Sequence, residues 1–328
     1  MIKKADLPLL LLSFILAAFT LVSCVNNPVD CSHCEKEDTN PKTAYEYFVE
    51  LSAIPRCTNN EKAAIDHLEK FAKARGFETY RDNMSNLLIR KNGSKGRENE
   101  PPVILQAHID MVCVKDNDFL HDFKNDPIIP VIVDDHWVRA SGRTTLGADN
   151  GSGVSMIMAV LASTSISHPP IEALLTVQEE TGLIGALAFN VSELRGERLI
   201  NLDCVQEKKI IAGSKRGGSD ADTFIPMLPE ALAKIASLPD WHYKEESPLR
   251  DKMIAVFKKV YDGEEPLIVQ INSNKAGVEP MAFAGRMPHL DMVSIGPDIF
   301  DIHTPNERMN LSSFYRVYNY LVTVLEAL

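Results

Sequence analysis

Five short segments carry His and carboxylate side chains at or near the ends of apolar runs. They are Ala107-His108-Ile109-Asp110, Gly147-Ala148-Asp149-Asn150-Gly151, Gln178-Glu179-Glu180-Thr181, Asn201-Leu202-Asp203 and Ile302-His303-Thr304-Pro305. Strand ends are where α/β enzymes place their chemistry. Imidazole nitrogen and carboxylate oxygen are ligands for a divalent ion such as zinc. Two such ions need a carboxylate to share, a water and a base, and this set contains every one of those parts.

Each segment also has an ordinary reading. The carboxylate of Asp110 lies close enough in sequence to His108 to fix its tautomer or tune the ring; a lone His-x-Asp is as readily a satisfied core pair. Asp149 sits between glycines that let the backbone turn sharply toward an ion, and it could equally cap the following helix. Glu179 and Glu180 end an apolar strand, so the two could point to opposite sides, one to a metal and one to a water. Two solvated acids at a loop start, an N-cap at Asp203 and an exposed His303 are the plain alternatives.

The elements that must position these residues alternate between strand and helix. Thr43 to Leu51 and Asn60 to Arg75 have helical spacing, with cap chemistry in Thr58-Asn59-Asn60-Glu61. Phe77 to Arg81 and Ser85 to Lys91 read as a strand pair. Pro102 to Ala107, Ala173 to Val177 and Leu199 to Leu202 read as buried strands delivering His108, Glu179 with Glu180, and Asp203. Ile128 to Val133 and Trp137 to Ala140 read as a hairpin, and Ser152 to Ala162 as a helix. Leu228 to Leu238, a run from Ser247-Pro248 to Tyr261, and a closing helix capped at Ser312 or Ser313 complete the helices. Leu267 to Ile271 and Met292 to Ile295 complete the strands. The pattern predicts an α/β fold, a mostly parallel, mixed central sheet with helices on both faces.

The chain has 328 residues, 45% of them hydrophobic, which is ample for a large core. Its formal net charge of -11 argues against nucleic acid as a partner. Lys3 and Lys4 precede an apolar stretch from Leu9 to Val22, closed by Leu21-Val22-Ser23-Cys24, which reads as an export signal. Its Cys is similar to the lipidated Cys of bacterial lipoprotein signals, so residues 1–24 are expected to be a signal peptide and 25–40 a flexible tether. The expected location is the cell envelope, with the chain anchored to a membrane through Cys24. Cys31 and Cys34 suggest a local disulfide or no role. Cys57, Cys113 and Cys204 are expected to be buried small hydrophobes.

Taken together, the segments resemble the aminoacyl-histidine dipeptidases, carnosinase-like enzymes of the co-catalytic dizinc peptidase superfamily. The resemblance is carried by Leu105 to Cys113, Thr144 to Gly151, Pro170 to Leu174 with Glu179 to Leu183, Leu199 to Asp203 and Asp291 to Pro297. It implies a zinc-peptidase/phosphorylase-like catalytic domain over 41–328. It also implies roles: His108 and Asp203 on one ion, Glu180 and His303 on the other, Asp149 bridging, and a cis peptide after Asp149. Glu179 would be general acid and base, Asp110 would tune His108, and a small peptide would be the substrate. The ions would be zinc, with manganese or cobalt as alternatives.

Two departures from the family pattern stand out. The family's lid and dimerisation domain has shrunk to a linker at about 224–246, which implies a monomer and a more open site. The family's His-Ala-Gly-Leu-Glu is Lys275-Ala276-Gly277-Val278-Glu279 here, leaving Glu279 and Lys275 as substrate contacts. These departures motivate a rival expectation, an impaired, non-enzymatic peptide-binding lipoprotein of the same fold. Gly217-Gly218-Ser219-Asp220-Ala221 lacks the last Gly of a serine-hydrolase elbow, which sets that chemistry aside.

Overall fold

The computed structural model describes residues 42–214, 238–271 and 277–328. The expected signal, tether and Cys24, the Cys31/Cys34 pair, the 228–238 helix apart from Leu238, most of the linker and Lys275 lie outside these residues.

An eight-stranded sheet forms the centre, built from β1 (Glu78–Arg81), β2 (Leu87–Lys91), β3 (Val103–His108), β6 (Ile171–Thr176), β7 (Arg198–Asn201), β8 (Lys209–Ser214), β9 (Leu267–Ile271) and β10 (Asp291–Ser294). Its order is β1-β2-β6-β3-β7-β10-β8-β9. The central strands β6, β3, β7 and β10 run parallel, so their C-terminal ends share one edge, while β2 runs against β1 and β6, and β8 runs against β10 but alongside β9. A second sheet of four strands joins β4 (Pro130–Val133) and β5 (Trp137–Ala140), the expected hairpin, to β11 (Ile299–Phe300) and β12 (Arg308–Asn310).

The helices are α1 (Ala44–Ser52), α2 (Lys62–Ala74), α3 (Ala148–Ala162), α4 (Ile184–Ala188), α5 (Pro248–Val260), α6 (Pro280–Ala284) and α7 (Leu311–Ala327). Alternate residues of one strand face opposite sides, and two apolar clusters record this. Leu105, Ala173, Ile200 and Val293 pack with α1, α2, α3, α5 and α7. Ile104, Leu174, Leu199 and Met292 pack with α4 and α6. The expected mixed sheet with helices on both faces is therefore the fold observed.

Three local expectations are corrected. The cap of α7 is Asn310, whose side chain accepts from Ser313 N, rather than Ser312 or Ser313. The Thr58 to Glu61 segment makes no side-chain cap on α2; the Thr58 hydroxyl donates to Asp110 and the Glu61 carboxylate accepts from Gln178 N instead. Cys57 and Cys113 form a disulfide across 56 positions of sequence, while Cys204 is free and buried, as expected.

Candidate metal centre

The parallel strands deliver their acids and imidazole to one edge. His108 is the last residue of β3 and pairs with Thr176, the last of β6. Glu179 and Glu180 follow β6, and Asp203 follows β7. Asp149 lies at the start of α3 but has extended rather than helical backbone (φ -83, ψ 109), and the peptide to Asn150 is cis. The Asp149 carboxylate makes no cap bond to the helix, where Asn150 Oδ1 accepts from Gly153 N instead, and it faces His108 and His303.

Both oxygens of Asp149 face an imidazole, and each faces a different one. Oδ1 lies 3.1 Å from His108 Nε2, which is also 3.4 Å from Asp203 Oδ1. Oδ2 lies 3.3 Å from His303 Nε2, which is also 3.0 Å from Glu180 Oε1. The donor atoms of His108, Asp149 and Glu180 all fall within 4.8 Å of one another. Glu179 stands beside this cluster, its Oε2 4.0 Å from His108 Nε2. All six side chains, Glu179 included, are at least largely buried; His303 is the most accessible of them at 12%.

The contacts around the cluster fix its protonation. His108 Nδ1 lies 3.0 Å from the carbonyl oxygen of Asp110. Donation from Nδ1 there would leave Nε2 free for an ion, the tautomer a metal ligand requires. Burial opposes charging of the ring, yet Asp203, Glu179, Asp110 and Asp149 raise its pKa well above 6.5. Asp110 itself, fully buried, accepts from the backbone N–H groups of Glu179 (3.0 Å) and Glu180 (3.3 Å) and from the Thr58 hydroxyl (2.8 Å). Burial works to raise the Asp110 pKa, and the contact with His108 and these donors hold it below the usual carboxylate range.

The uncompensated acids behave differently. Burial, together with Asp149, pushes Glu180 up to about 7. Burial pushes Asp203 up to about 6. Burial and the neighbouring charges of Glu180, Asp203 and Glu279 raise Glu179 well above the ordinary range, against the pull of His108. Burial opposes the charging of His303, yet Asp149 and Glu180 drive it up to about 11. Four buried carboxylates around two imidazoles make a donor set that wants cations. The residues fit divalent metal, with imidazole and carboxylate in the mixture zinc accepts.

Several supporting residues had no such role assigned from the sequence, where Glu61 was read only as part of a helix cap and Glu279 as a substrate contact. Glu307 is buried and accepts from four consecutive amides, Leu146 to Asp149. Arg56, only 2% exposed, donates to the carbonyls of Ile109 and Gly147. Glu61 accepts from Asn59 N and Gln178 N. On the α4/α6 face, Ser294, Asn201, Gln106 and Thr176 form a buried polar file under the ligands, closed by Glu279. Glu279 is fully buried; its Oε2 accepts from Thr176 Oγ1 at 2.6 Å and from Gln106 Nε2. Each lies in a loop, or is a polar residue inside a strand, where type and spacing carry no periodic signal.

A model of peptidase family M20/M25/M40 matches residues 104–327, a span containing all the cluster's residues. The chain belongs to this family. Among curated proteins, the cytosol non-specific dipeptidase of Escherichia coli (strain K12) is 41% identical over 198 residues, which are 60% of this chain and 40% of that relative. The chain thus spans less than half the length of that relative. Among solved structures, an aminoacylhistidine dipeptidase from Vibrio alginolyticus superposes with a TM-score of 0.77 at 22% identity, covering 90% of this chain and 99% of that one. Aminopeptidase PepT from Bacillus cereus ATCC 10987 gives 0.68 at 17% identity, covering 87% and 97%. At these identities the structural matches speak for the fold.

Family membership bears out the metallopeptidase reading and leaves the non-enzymatic one unfavoured. It also brings a correction. The expected exported lipoprotein of the cell envelope, anchored through Cys24, is overturned by the likeness to a relative named for the cytosol. The apolar run from Leu9 reads as an export signal because it follows Lys3 and Lys4 and is closed by Leu21-Val22-Ser23-Cys24, a basic start, an apolar stretch and small residues at a cut site.

Proposed function

We propose that this M20 peptidase hydrolyses dipeptides, or removes N-terminal residues from short peptides, with a pair of divalent ions. His108 and Asp203 would hold one ion and His303 and Glu180 the other, with Asp149 as the residue that would be shared between them. The observation that carries this reading is the division of the two Asp149 oxygens between the two imidazoles. When bound, the ions supply Lewis-acid polarisation of the scissile carbonyl and acidify a water; zinc suits the donors.

The chain's own residues do the rest. Glu179 takes the proton of the attacking water on its carboxylate and hands it to the departing amine. Its burial and acidic neighbours raise its proton affinity well above that of an ordinary carboxylate. Asp110 holds the amides of Glu179 and Glu180, and so aims one carboxylate at the water and the other at an ion. Glu279 supports the ends of β3 and β6 through Gln106 and Thr176. Lys275 keeps the expected role of meeting a substrate carboxylate. The short linker in place of a lid favours a single-copy enzyme, which a sedimentation measurement checks.

The decisive experiment is Glu179→Gln. The amide keeps the shape and cannot accept the proton. Turnover of a dipeptide panel that includes Xaa-His substrates should fall by about 10²–10⁴-fold, with metal content unchanged. Equal turnover in variant and parent would remove Glu179 from the reaction.

A further inference from the structure

The bridging aspartate stands on a turn gripped from two sides by charges that no metal role requires. Glu307 lies four residues past His303. Its Oε2 accepts from Leu146 N (2.8 Å) and Gly147 N (2.9 Å), and its Oε1 from Ala148 N (2.8 Å) and Asp149 N (3.3 Å). One carboxylate thereby fastens the arm carrying His303 to the turn carrying Asp149.

Arg56 makes the complementary join. Its Nη1 donates to Ile109 O at 2.9 Å and its Nη2 to Gly147 O at 2.5 Å. Ile109 lies between His108 and Asp110, so one guanidinium fastens the arm carrying His108 to the same turn. The glycines of this turn make room for it. A Cβ on Gly147 or Gly151 would come within 2.6 Å or 2.5 Å of Nη2. A planar fork reaches two carbonyls at fixed angles; an ammonium does not. Burying a charge on either side is costly without full pairing, and an apolar side chain would fill the same space without that cost.

We infer that Arg56 and Glu307 are positioning residues for the metal pair, setting the aim of the Asp149 carboxylate so that each oxygen meets a different ion. The inference rests on the two-ion reading above. His108 and His303 reach the two Asp149 oxygens from separate arms. If either tie loosens, the oxygen on that side loses its register with its imidazole.

Arg56→Lys and Glu307→Gln in the full chain test this. Metal stoichiometry and stepwise affinity are read by competition with a chromogenic chelator, using zinc as the probe. Circular dichroism of the metal-free proteins reports the fold. Each folded variant should bind its second ion about 10–100-fold more weakly than the parent, the range expected when a group orienting a ligand is lost. Variants with parental affinity for both ions, and only a lowered melting temperature, would make the two residues merely structural and overturn the inference. Should Glu307→Gln fail to fold, Arg56→Lys decides, because it keeps the charge and removes only the fork. A parent that binds fewer than two ions would overturn the two-ion reading itself, a result that needs no variant.

Discussion

One carboxylate oxygen for each of two neighbouring amides is what lets Glu179 and Glu180 point in different directions. Asp110 provides that pair of acceptors and takes the Thr58 hydroxyl as well. Asp110→Asn would turn an amide NH₂ toward one of those N–H groups, placing donor against donor. We expect kcat or metal affinity to fall by about 10–100-fold, measured by steady-state turnover and chelator competition. The residues of the cluster were marked in the sequence by His and acids at the ends of apolar runs, and the roles expected of them came from the family resemblance. Arg56, Thr58 and Glu307 were not. They act through backbone carbonyls and amides, or through a partner far away in sequence, and a lone charged residue in a loop looks like any solvated one.

Among the elements, the strongly periodic ones were legible to within a few residues. The run delivering His108 and the helix opened by Ser247-Pro248 are examples, the latter with Ser247 Oγ accepting from Arg250 N. Short pieces escaped: α4 and α6 have five residues each, and β11 and β12 only two and three. At that length tertiary contact, not propensity, decides the conformation. The glycines around Asp149 were read as hinges for a turn, and Gly147 does adopt φ +73. Gly151 has a different reason. Its missing side chain is replaced by the Arg56 guanidinium, with Phe48 also 3.1 Å from a Cβ there. Gly151→Ala should therefore lower stability by about 1–3 kcal/mol, as overpacking does, read from denaturant midpoints on the metal-free protein.

Across the whole molecule, acid should act partly through His168, which is not one of the cluster's residues. It is buried, with Nδ1 2.7 Å from the Pro169 carbonyl. Burial, with Lys91 and Arg97 nearby, pushes its pKa down from 6.5 to about 4. Between those values the unfolded chain holds the proton and the folded one does not, so stability falls as pH drops through that window. His168→Asn should flatten that part of the stability curve, measured by urea unfolding at several pH values. The Cys57–Cys113 bridge acts at the same scale. It encloses the charged surface loop at 92–101 together with β1, β2 and β3. A protease that nicks this loop would leave two polypeptides still tethered by sulfur. They would migrate as one species on a gel without reductant and as two once thiol is added, so the backbone could be severed there while the wall behind the active site stays in one piece.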